Sequence, residues 1–248
     1  MSESFIYGIH AVEKFVQHSP EQGVELLAVE KRNPRLLTVI GQTRKASIPV
    51  QFASRDELSK LAGSDKHQGC VLRINVIAGQ QKSLEQCISE ISPTSLFLVL
   101  DGVQDPHNLG ACLRSADAAG VDALIIPKDR SVKLNATVRK VAAGGAETIS
   151  IIEVTNLARC LKDLKAAGVW IYGTSGDAEQ SIYDFDYKSP VALVMGSEGD
   201  GLRRLTAEQC DQLIKLPMLG SVESLNVSVA TGVCLYEINR ARSACSKA

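Results

Sequence analysis

Short helices and strands alternate along the whole chain, as judged from the spacing of apolar and polar residues. In the first part, apolar side chains recur at helical spacing over residues 8–18, and a second helix is predicted to begin at Asn33-Pro34. Ser54 and Glu57 have the spacing of a capping box at the start of a third helix. Strands are predicted over residues 24–30, 50–53 and 70–76. Together these elements predict a small α/β domain.

The second part of the chain contains stronger apolar runs, which are separated by helical segments. The predicted strands are 96–100, 123–126, 149–154, 169–172, 191–195 and 212–216, and the predicted helices are 108–119, 135–143, 202–209, 224–240 and one that Thr155 caps and Gly168 ends. Strands that are apolar throughout are typical of a mostly parallel sheet with helices on both faces. We therefore expect a doubly wound α/β domain, in which ligands bind beyond the carboxyl ends of the strands.

Residues 77–93 are more polar and less periodic, and they are interpreted as a linker with at most one helix. The expected organisation is a first domain at residues 1–76, this linker, a second domain at 94–243 and a tail at 244–248. The net charge of −1 is unevenly distributed along the chain. Residues 1–82 contain 11 basic and 8 acidic residues, whereas residues 83–248 contain 16 basic and 20 acidic residues. This excludes nucleic-acid binding by a large excess of positive charge, but it allows a basic patch on the first domain.

Composition narrows the class of protein further. Hydrophobic residues make up 45% and charged residues 22% of the chain, which is typical of a globular protein, and the aromatic content of 4% disfavours a single-strand binder built from stacked rings. The seven cysteines form no CxxC pair and the four histidines have no metal-ligand spacing, so we expect reduced thiols and no metal. Because the sequence contains no recognisable secretory signal and no apolar run long enough for a membrane span, we expect a soluble cytoplasmic protein.

Candidate chemistry is concentrated where three of the predicted strands end. After the first, Arg114 lies on the side of its predicted helix opposite to the apolar stripe. After the second, glycines in the segment 194–202 surround Glu198 and allow backbone N–H groups to approach a ligand closely. After the third, Ser224 and Asn226 open a helix that is otherwise apolar. Each feature also has a structural explanation, namely a surface charge, a glycine-rich turn and a helix cap.

Several of these segments resemble a known family. NLGACLRSADAAG, LVMGSEGDGL and LPMLGSVESLNVSVATGVCLYE resemble the three motifs of the SpoU family of RNA ribose 2′-O-methyltransferases, and IYGIHAV and HQGCVLR resemble its auxiliary RNA-binding domain. The resemblance covers nearly the whole chain. It implies an N-terminal domain with a ribosomal-protein L30e-like α/β fold and a catalytic domain with a Rossmann-like α/β-knot fold. The deep trefoil knot is implied by the resemblance alone, since knots are essentially absent from other folds.

The resemblance also implies S-adenosylmethionine as the cofactor and assigns roles to individual positions. Cofactor contacts are implied for Thr174, Gly176, Met195, Gly196, Gly199, Leu216, Met218, Ser224 and Leu225. Catalytic roles are implied for Asn108, Arg114, Glu198, Ser224 and Asn226. Contacts to RNA phosphates are expected for His10, Lys14, Arg32, Arg35, Arg44, Lys45 and Arg73. In the implied reaction, a ribose 2′-oxygen attacks the methyl group of the cofactor in line while Arg114 grips a neighbouring phosphate.

In length and domain layout, the chain most resembles the bacterial members of the family that methylate a guanosine ribose in large-subunit (23S) ribosomal RNA. A transfer-RNA ribose methyltransferase and a noncatalytic RNA-binding or ribosome-assembly protein remain as alternatives. A generic nucleotide-binding enzyme is disfavoured, because the chain contains neither a phosphate loop of the GKS/T type nor GxGxxG. The first part of the final helix is apolar on almost all sides, which predicts burial against a second subunit and hence a homodimer.

Overall fold

The computed structural model describes residues 2–30, 33–76, 82–197, 199 and 201–245. The secondary-structure elements, in chain order, are β1 (Ser2–Tyr7), α1 (Ile9–His18), β2 (Gly23–Ala28), α2 (Pro34–Lys45), β3 (Val50–Phe52), α3 (Arg55–Ala62), β4 (Cys70–Val76), α4 (Leu84–Ser89), β5 (Leu96–Asp101), α5 (Pro106–Ala118), β6 (Ala123–Pro127), α6 (Ala136–Ala142), α7 (Gly145–Thr148), β7 (Ser150–Val154), α8 (Leu157–Ala166), β8 (Trp170–Thr174), β9 (Gln180–Ser181), β10 (Val191–Gly196), α9 (Arg204–Ala207), β11 (Gln212–Lys215) and α10 (Val227–Cys245). Contacts divide the chain into two compact units, of which the first contains residues 1–80 with 134–148 and the second contains the rest.

The first unit is built on a four-stranded mixed sheet with the strand order β1-β4-β2-β3. Strand β4 is antiparallel to β1 and β2, whereas β3 is parallel to β2. The amphipathic helix α1 packs Val12 and Phe15 into a core that also contains Leu72 of β4. The predicted caps are confirmed, because the Asn33 side chain accepts a hydrogen bond from the Arg35 N–H at 3.1 Å and Ser54 forms a capping box with Glu57.

The segment 134–148 also packs in the first unit, although it follows β6 in the chain. The Lys140 ammonium lies 4.9 Å from the centre of the Tyr7 ring and donates a hydrogen bond to the carbonyl of Lys66 at 2.8 Å. Arg139 and Glu147 form a buried ion pair with a distance of 2.6 Å. The structural division therefore differs from the contiguous segments 1–76 and 94–243 expected from the sequence, because side-chain contacts, and not chain position, tie this segment to the first unit.

The second unit is built on a seven-stranded sheet with the order β7-β6-β5-β10-β8-β11-β9, in which every strand pairs in parallel with its neighbours. Leu161 and Leu164 of α8 cover one face together with Cys87 of α4. The alternate strand positions Leu98 and Leu193 are also fully buried, so the second face is covered as well. The expected α/β class with a parallel sheet is confirmed.

Several element boundaries differ from the predicted ones. Helix α10 begins at Val227 and not at residue 224, because the Asn226 side chain accepts the Ser228 N–H at 3.0 Å and so caps the helix there. Asn156, and not Thr155, caps α8, since its side chain accepts the Arg159 N–H. The predicted helix 202–209 is reduced to Arg204–Ala207. Of the described helices, none is long and apolar enough to cross a membrane.

Candidate active site

Four adjacent parallel strands of the second unit, in the order β5-β10-β8-β11, end at the same edge of the sheet. Pairing aligns Gly196 at the end of β10 with Asp101 at the end of β5, and Ile214 of β11 with Thr174 at the end of β8. Loops that leave this edge contain the candidate residues near positions 176, 199 and 218, and the loop after β5 leads into α5, which begins at Pro106 and contains Asn108. This is the edge at which parallel sheets bind their ligands.

A buried carboxylate fixes the ends of two of these loops. One Asp101 carboxylate oxygen lies 2.6 Å from the Arg203 guanidinium, and the other accepts a hydrogen bond from the Arg203 backbone N–H at 3.0 Å. The Asp101 side chain is completely buried, whereas 42% of the Arg203 side chain is exposed. Because a buried carboxylate is costly without such partners, the loop that ends at Arg203 is held against the end of β5.

The glycine-rich loop after β10 closes on itself. Ser197 and Gly201 exchange two backbone hydrogen bonds, at 3.1 and 3.2 Å. A Cβ atom on Gly196 would lie 2.3 Å from the Gly201 carbonyl carbon, so only glycine fits at this position. Gly199 has a φ of 88° and open space beside it. The candidate residue Glu198 lies outside the described residues, as does Asp200.

The loop after β8 borders the same edge. The Thr174 hydroxyl donates a hydrogen bond to the Val194 carbonyl at 3.2 Å, and the Ser175 N–H donates to the Ile214 carbonyl at 2.9 Å. The Thr174 hydroxyl therefore links β8 to β10. The backbone at Gly176 is exposed, and a Cβ atom added there would have no neighbouring atom within 4 Å. A ligand could approach the main chain closely there.

The loop after β11 provides apolar surface. Leu216 and Met218 are half-buried, and Leu225 is exposed. Leu219 and Val222 in the same loop are also exposed, so apolar side chains and main-chain polar groups occur together. Such a combination suits a ligand with a flat aromatic ring and polar edges, as in an adenosine.

Two helix starts are joined by a pair of asparagines. The Asn226 side-chain amide donates a hydrogen bond to the Asn108 side-chain oxygen at 2.9 Å, while the Asn226 oxygen accepts from the Ser228 N–H and hydroxyl. Asn108 lies in the first turn of α5, whose cap is Asp105, and Asn226 lies directly before α10. Ser224 is exposed two residues earlier and is not part of the helix.

Arg114 is exposed on α5, as the helical pattern predicted. The other side of the helix is buried through Leu109, Cys112 and Leu113, and the Cys112 thiol donates a hydrogen bond to the Thr231 hydroxyl of α10 at 3.5 Å. Helix α5 is thus fixed by packing while the Arg114 guanidinium faces solvent. Within the part of the chain that the structure describes, no group of side chains could hold a metal ion.

The expected RNA contacts belong to the first unit, apart from Arg32, which lies outside the described residues. His10, Lys14, Arg35, Arg44 and Lys45 are exposed. Arg73 is already paired with Glu25 at 2.6 Å across β4 and β2. The sequence also missed Arg203, because its partner Asp101 lies 102 residues away, and only the acidic end of an apolar strand signals that partner.

Comparisons with known proteins identify the family of this chain. A family model for the SpoU rRNA Methylase family matches residues 95–236, and one for RNA 2′-O ribose methyltransferase substrate binding matches residues 5–76. The 23S rRNA (guanosine-2′-O-)-methyltransferase RlmB of Haemophilus influenzae is 51% identical over 245 residues, which are 98% of this chain and 99% of that protein.

Solved structures agree as well. A crystal structure of an RNA 2′-O ribose methyltransferase has a TM-score of 0.81 and 28% identity, and the match covers 97% of this chain and 89% of that one. The crystal structure of an AdoMet-bound rRNA methyltransferase from Sinorhizobium meliloti has a TM-score of 0.77 and 26% identity, covering 96% of this chain and 87% of that one. The expected family is therefore confirmed, and the chain belongs to the SpoU rRNA methylase family.

Proposed function

We propose that this protein transfers the methyl group of S-adenosylmethionine to the ribose 2′-oxygen of a guanosine in 23S ribosomal RNA. The observation that carries the proposal is the 51% identity to the Haemophilus influenzae enzyme of that activity, which extends over 98% of this chain and includes both matched regions. A match of this extent includes the loops at the sheet edge as well as the first unit. Because ribosomal RNA is the proposed substrate, we expect the protein to act in the cytoplasm.

The residues at the sheet edge fit the cofactor. Apolar Leu216, Met218 and Leu225 offer surface for the adenine ring, and the open main chain at Gly176 and Gly199 offers polar groups at close range. Thr174, Met195 and Gly196 shape the strand ends from which these loops leave. When bound there, S-adenosylmethionine supplies an electrophilic methyl group for attack by the ribose oxygen.

We assign to Arg114 the task of holding the RNA phosphate beside the target ribose. Its planar guanidinium is exposed on a helix that is fixed by packing, and it can grip a phosphate through two parallel hydrogen bonds. Positioning of the nucleophile is the main contribution that the protein can make when the methyl donor is already reactive. A role of Arg114 as the base is disfavoured, because arginine stays protonated in proteins.

Asn108 and Asn226 are assigned to orient the reacting groups. Their mutual hydrogen bond fixes both side chains at the two helix starts, and carboxamide side chains can hold a hydroxyl or a carboxylate. Ser224 is exposed in the loop before Asn226 and is proposed to contact the ribose or the cofactor. Glu198 is proposed to orient these groups or to accept the 2′-hydroxyl proton.

The first unit is proposed to dock the RNA. This rests on the match of residues 5–76 to the substrate-binding family model and on the excess of basic over acidic residues in residues 1–82. Exposed His10, Lys14, Arg44 and Lys45 are proposed phosphate contacts, which position RNA without reading its sequence. The expected consequence is an affinity for RNA that falls as salt is raised.

We also propose the trefoil knot for the second unit. In the sheet, β10 lies between β5 and β8, so the chain returns to the middle of a sheet whose neighbouring strands were completed earlier. The subsequent strand β11 pairs with β8 and is followed by α10. This order supports a chain threaded through an earlier loop, as the family resemblance implies.

A second copy of the chain is proposed to cover part of α10. Val229, Val233 and Tyr236 are exposed and recur at helical spacing, while Val227, Leu235 and Ile238 of the same helix are buried. A stripe of this kind favours the homodimer. Val233→Glu should yield monomers in light scattering at micromolar concentration, whereas Lys162→Glu on α8 should not; a wild-type protein that is monomeric would contradict the proposal.

The proposed activity is tested by incubating the protein with tritium-labelled S-adenosylmethionine and separate preparations of 23S rRNA and transfer RNA. We expect label in 23S rRNA. Label confined to transfer RNA would favour the transfer-RNA alternative, and RNA binding with no label in either would favour a noncatalytic RNA-binding protein.

A further inference from the structure

The first unit contains a cavity of about 380 Å³ that no proposed catalytic role uses. The residues that line it are Ile9, Val29, Asn33, Arg35, Leu36, Arg55, Gln68 and Gly69. Its volume lies in the range of cavities that hold small organic molecules, and it is comparable to that of a single nucleotide. All of these residues lie within residues 1–76, so the cavity is formed within one unit.

Positive charge converges on this cavity. Arg35 and Arg55 lie in the first turns of α2 and α3, and Ile9 is the first residue of α1. The amino ends of three helices, each at least eight residues long, therefore meet there, and such ends carry partial positive charge. None of the described residues that line the cavity is acidic. The electrostatics thus favour an anion.

Gln68 is held in place at the wall of the cavity. Its backbone has a φ of 55°, which is rare for a residue other than glycine, and its side-chain oxygen accepts the Ile9 N–H at 3.0 Å. The buried His67 fixes Gly69, because its Nδ1 accepts the Gly69 N–H at 3.1 Å. With its oxygen engaged, the Gln68 carboxamide offers its amide donors to a ligand.

The cavity also has an apolar wall. Val29 is half-buried in the lining and Ile9 keeps 8% of its surface exposed, whereas Leu36 is buried in the core behind them. A cationic rim beside an apolar wall matches a nucleotide, in which a charged phosphate adjoins a flat base. A free inorganic anion would use the rim and leave the apolar wall uncovered. A base can reach such a wall only when it is unpaired.

We propose that this cavity binds one unpaired nucleotide of the RNA substrate, with the phosphate on Arg35 and Arg55 and the base against Val29 and Ile9. The site is distinct from the sheet-edge residues that act on the target ribose. It rests on the proposed function, since it assigns to the first unit a specific nucleotide contact in the RNA that the second unit methylates. Such a contact makes RNA binding more specific than charge alone does, because it requires an unpaired nucleotide at a fixed place in the RNA.

The test compares Arg35→Ala and Arg55→Ala with Lys60→Ala, in methyl transfer to a 23S rRNA transcript. Lys60 is exposed at the other end of α3, so its variant removes the same charge outside the cavity. We expect each arginine variant to raise the KM for RNA about ten-fold, with kcat and the KM for S-adenosylmethionine unchanged, and Lys60→Ala to have little effect. Equal effects of all three variants, or no effect of the arginine variants, would overturn the proposal.

A direct binding measurement separates this proposal from the proposed activity. In NMR spectra of the wild-type protein, guanosine monophosphate should shift the amide signals of Ile9 and Gly69, and inorganic phosphate at the same concentration should shift them less. Equal shifts by both, or none, would contradict a nucleotide site. If the wild-type protein transfers no methyl group to any RNA, the proposed activity fails, while filter binding of the transcript to the arginine variants still tests the cavity.

Discussion

Asp101 and Arg203 join the end of strand β5 to the end of the glycine-rich loop through two contacts, a 2.6 Å ion pair and a 3.0 Å hydrogen bond to the Arg203 backbone N–H. The two side chains differ in burial, because that of Asp101 is fully buried whereas that of Arg203 is partly exposed to solvent. Both contacts end on the same buried carboxylate, so loss of the Arg203 side chain removes one of them, whereas loss of the Asp101 side chain removes both.

Asp101→Ala should therefore weaken binding of S-adenosylmethionine by about ten-fold, since it removes both contacts and leaves a main-chain donor without its acceptor. Arg203→Ala should weaken binding less, because the hydrogen bond to its backbone N–H remains. Titration calorimetry with both variants measures the difference. If Arg203→Ala lowers the affinity as much as Asp101→Ala, the ion pair, and not the backbone contact, positions the loop.

Gly196→Ala should abolish cofactor binding by preventing closure of the same loop. The added Cβ would lie 2.3 Å from the Gly201 carbonyl carbon and 2.6 Å from its oxygen, distances that force the main chain apart. Gly41→Ala is the matched control, because it adds the same atom in the interior of α2 with no atom within 4 Å, and it should raise stability by up to about 1 kcal/mol. Wild-type cofactor affinity in Gly196→Ala would show that the loop tolerates a different path.

Arg114→Ala should lower kcat at least about 100-fold while S-adenosylmethionine binds normally, since the residue is assigned to orient the RNA and not the cofactor. Arg159→Ala on α8 removes the same side chain elsewhere in the unit and should leave kcat unchanged. Single-turnover methyl transfer at saturating RNA and cofactor separates the chemical step from binding. Normal turnover with reduced cofactor affinity in Arg114→Ala would assign the residue to the cofactor instead.

His67 should make the first unit less stable in acid. Burial lowers its pKa below the ordinary histidine value of about 6.5, and the positive charge of Arg55 acts in the same direction. The neutral ring is needed because Nδ1 accepts the Gly69 N–H. With a folded pKa below the unfolded one, the unfolded chain takes up the proton first, so this stability is present above about pH 6.5 and is lost as the pH falls through the folded pKa.

The measurement for His67 is the melting temperature between pH 7.5 and 5 for the wild-type protein and His67→Gln, which cannot titrate in this range. The wild-type melting temperature should fall more steeply on acidification. Parallel curves for the two proteins would mean that other groups cause the acid sensitivity.

Local features of this fold are predictable from the sequence. The caps at Asn33 and at Ser54 with Glu57 depend on hydrogen bonds within three residues, and β4 has the predicted bounds. The strand ends that carry candidate chemistry are also predictable, because apolar runs that stop at polar or glycine-rich segments mark the edge of a parallel sheet.

Distant pairings are not predictable in the same way. Strand β1 is not predicted by the local pattern, since it exists through pairing with β4, for example of Phe5 with Arg73, across nearly seventy residues. The hydrogen bond between Asn108 and Asn226 joins positions 118 residues apart, and it helps to explain why α10 begins later than its apolar pattern indicates. No local pattern signals either contact, so the sequence predicts the components of the site but not how they are joined.

The central claim, methylation of a guanosine ribose in 23S rRNA, is tested most directly by identifying the product nucleoside. An unmodified 23S rRNA transcript is incubated with the protein and S-adenosylmethionine, digested to nucleosides and analysed by mass spectrometry, with Arg114→Ala as the comparison. We predict 2′-O-methylguanosine with the wild-type protein and none with the variant. A methyl group on a base, on the ribose of another nucleoside, or equal product from Arg114→Ala would contradict the account.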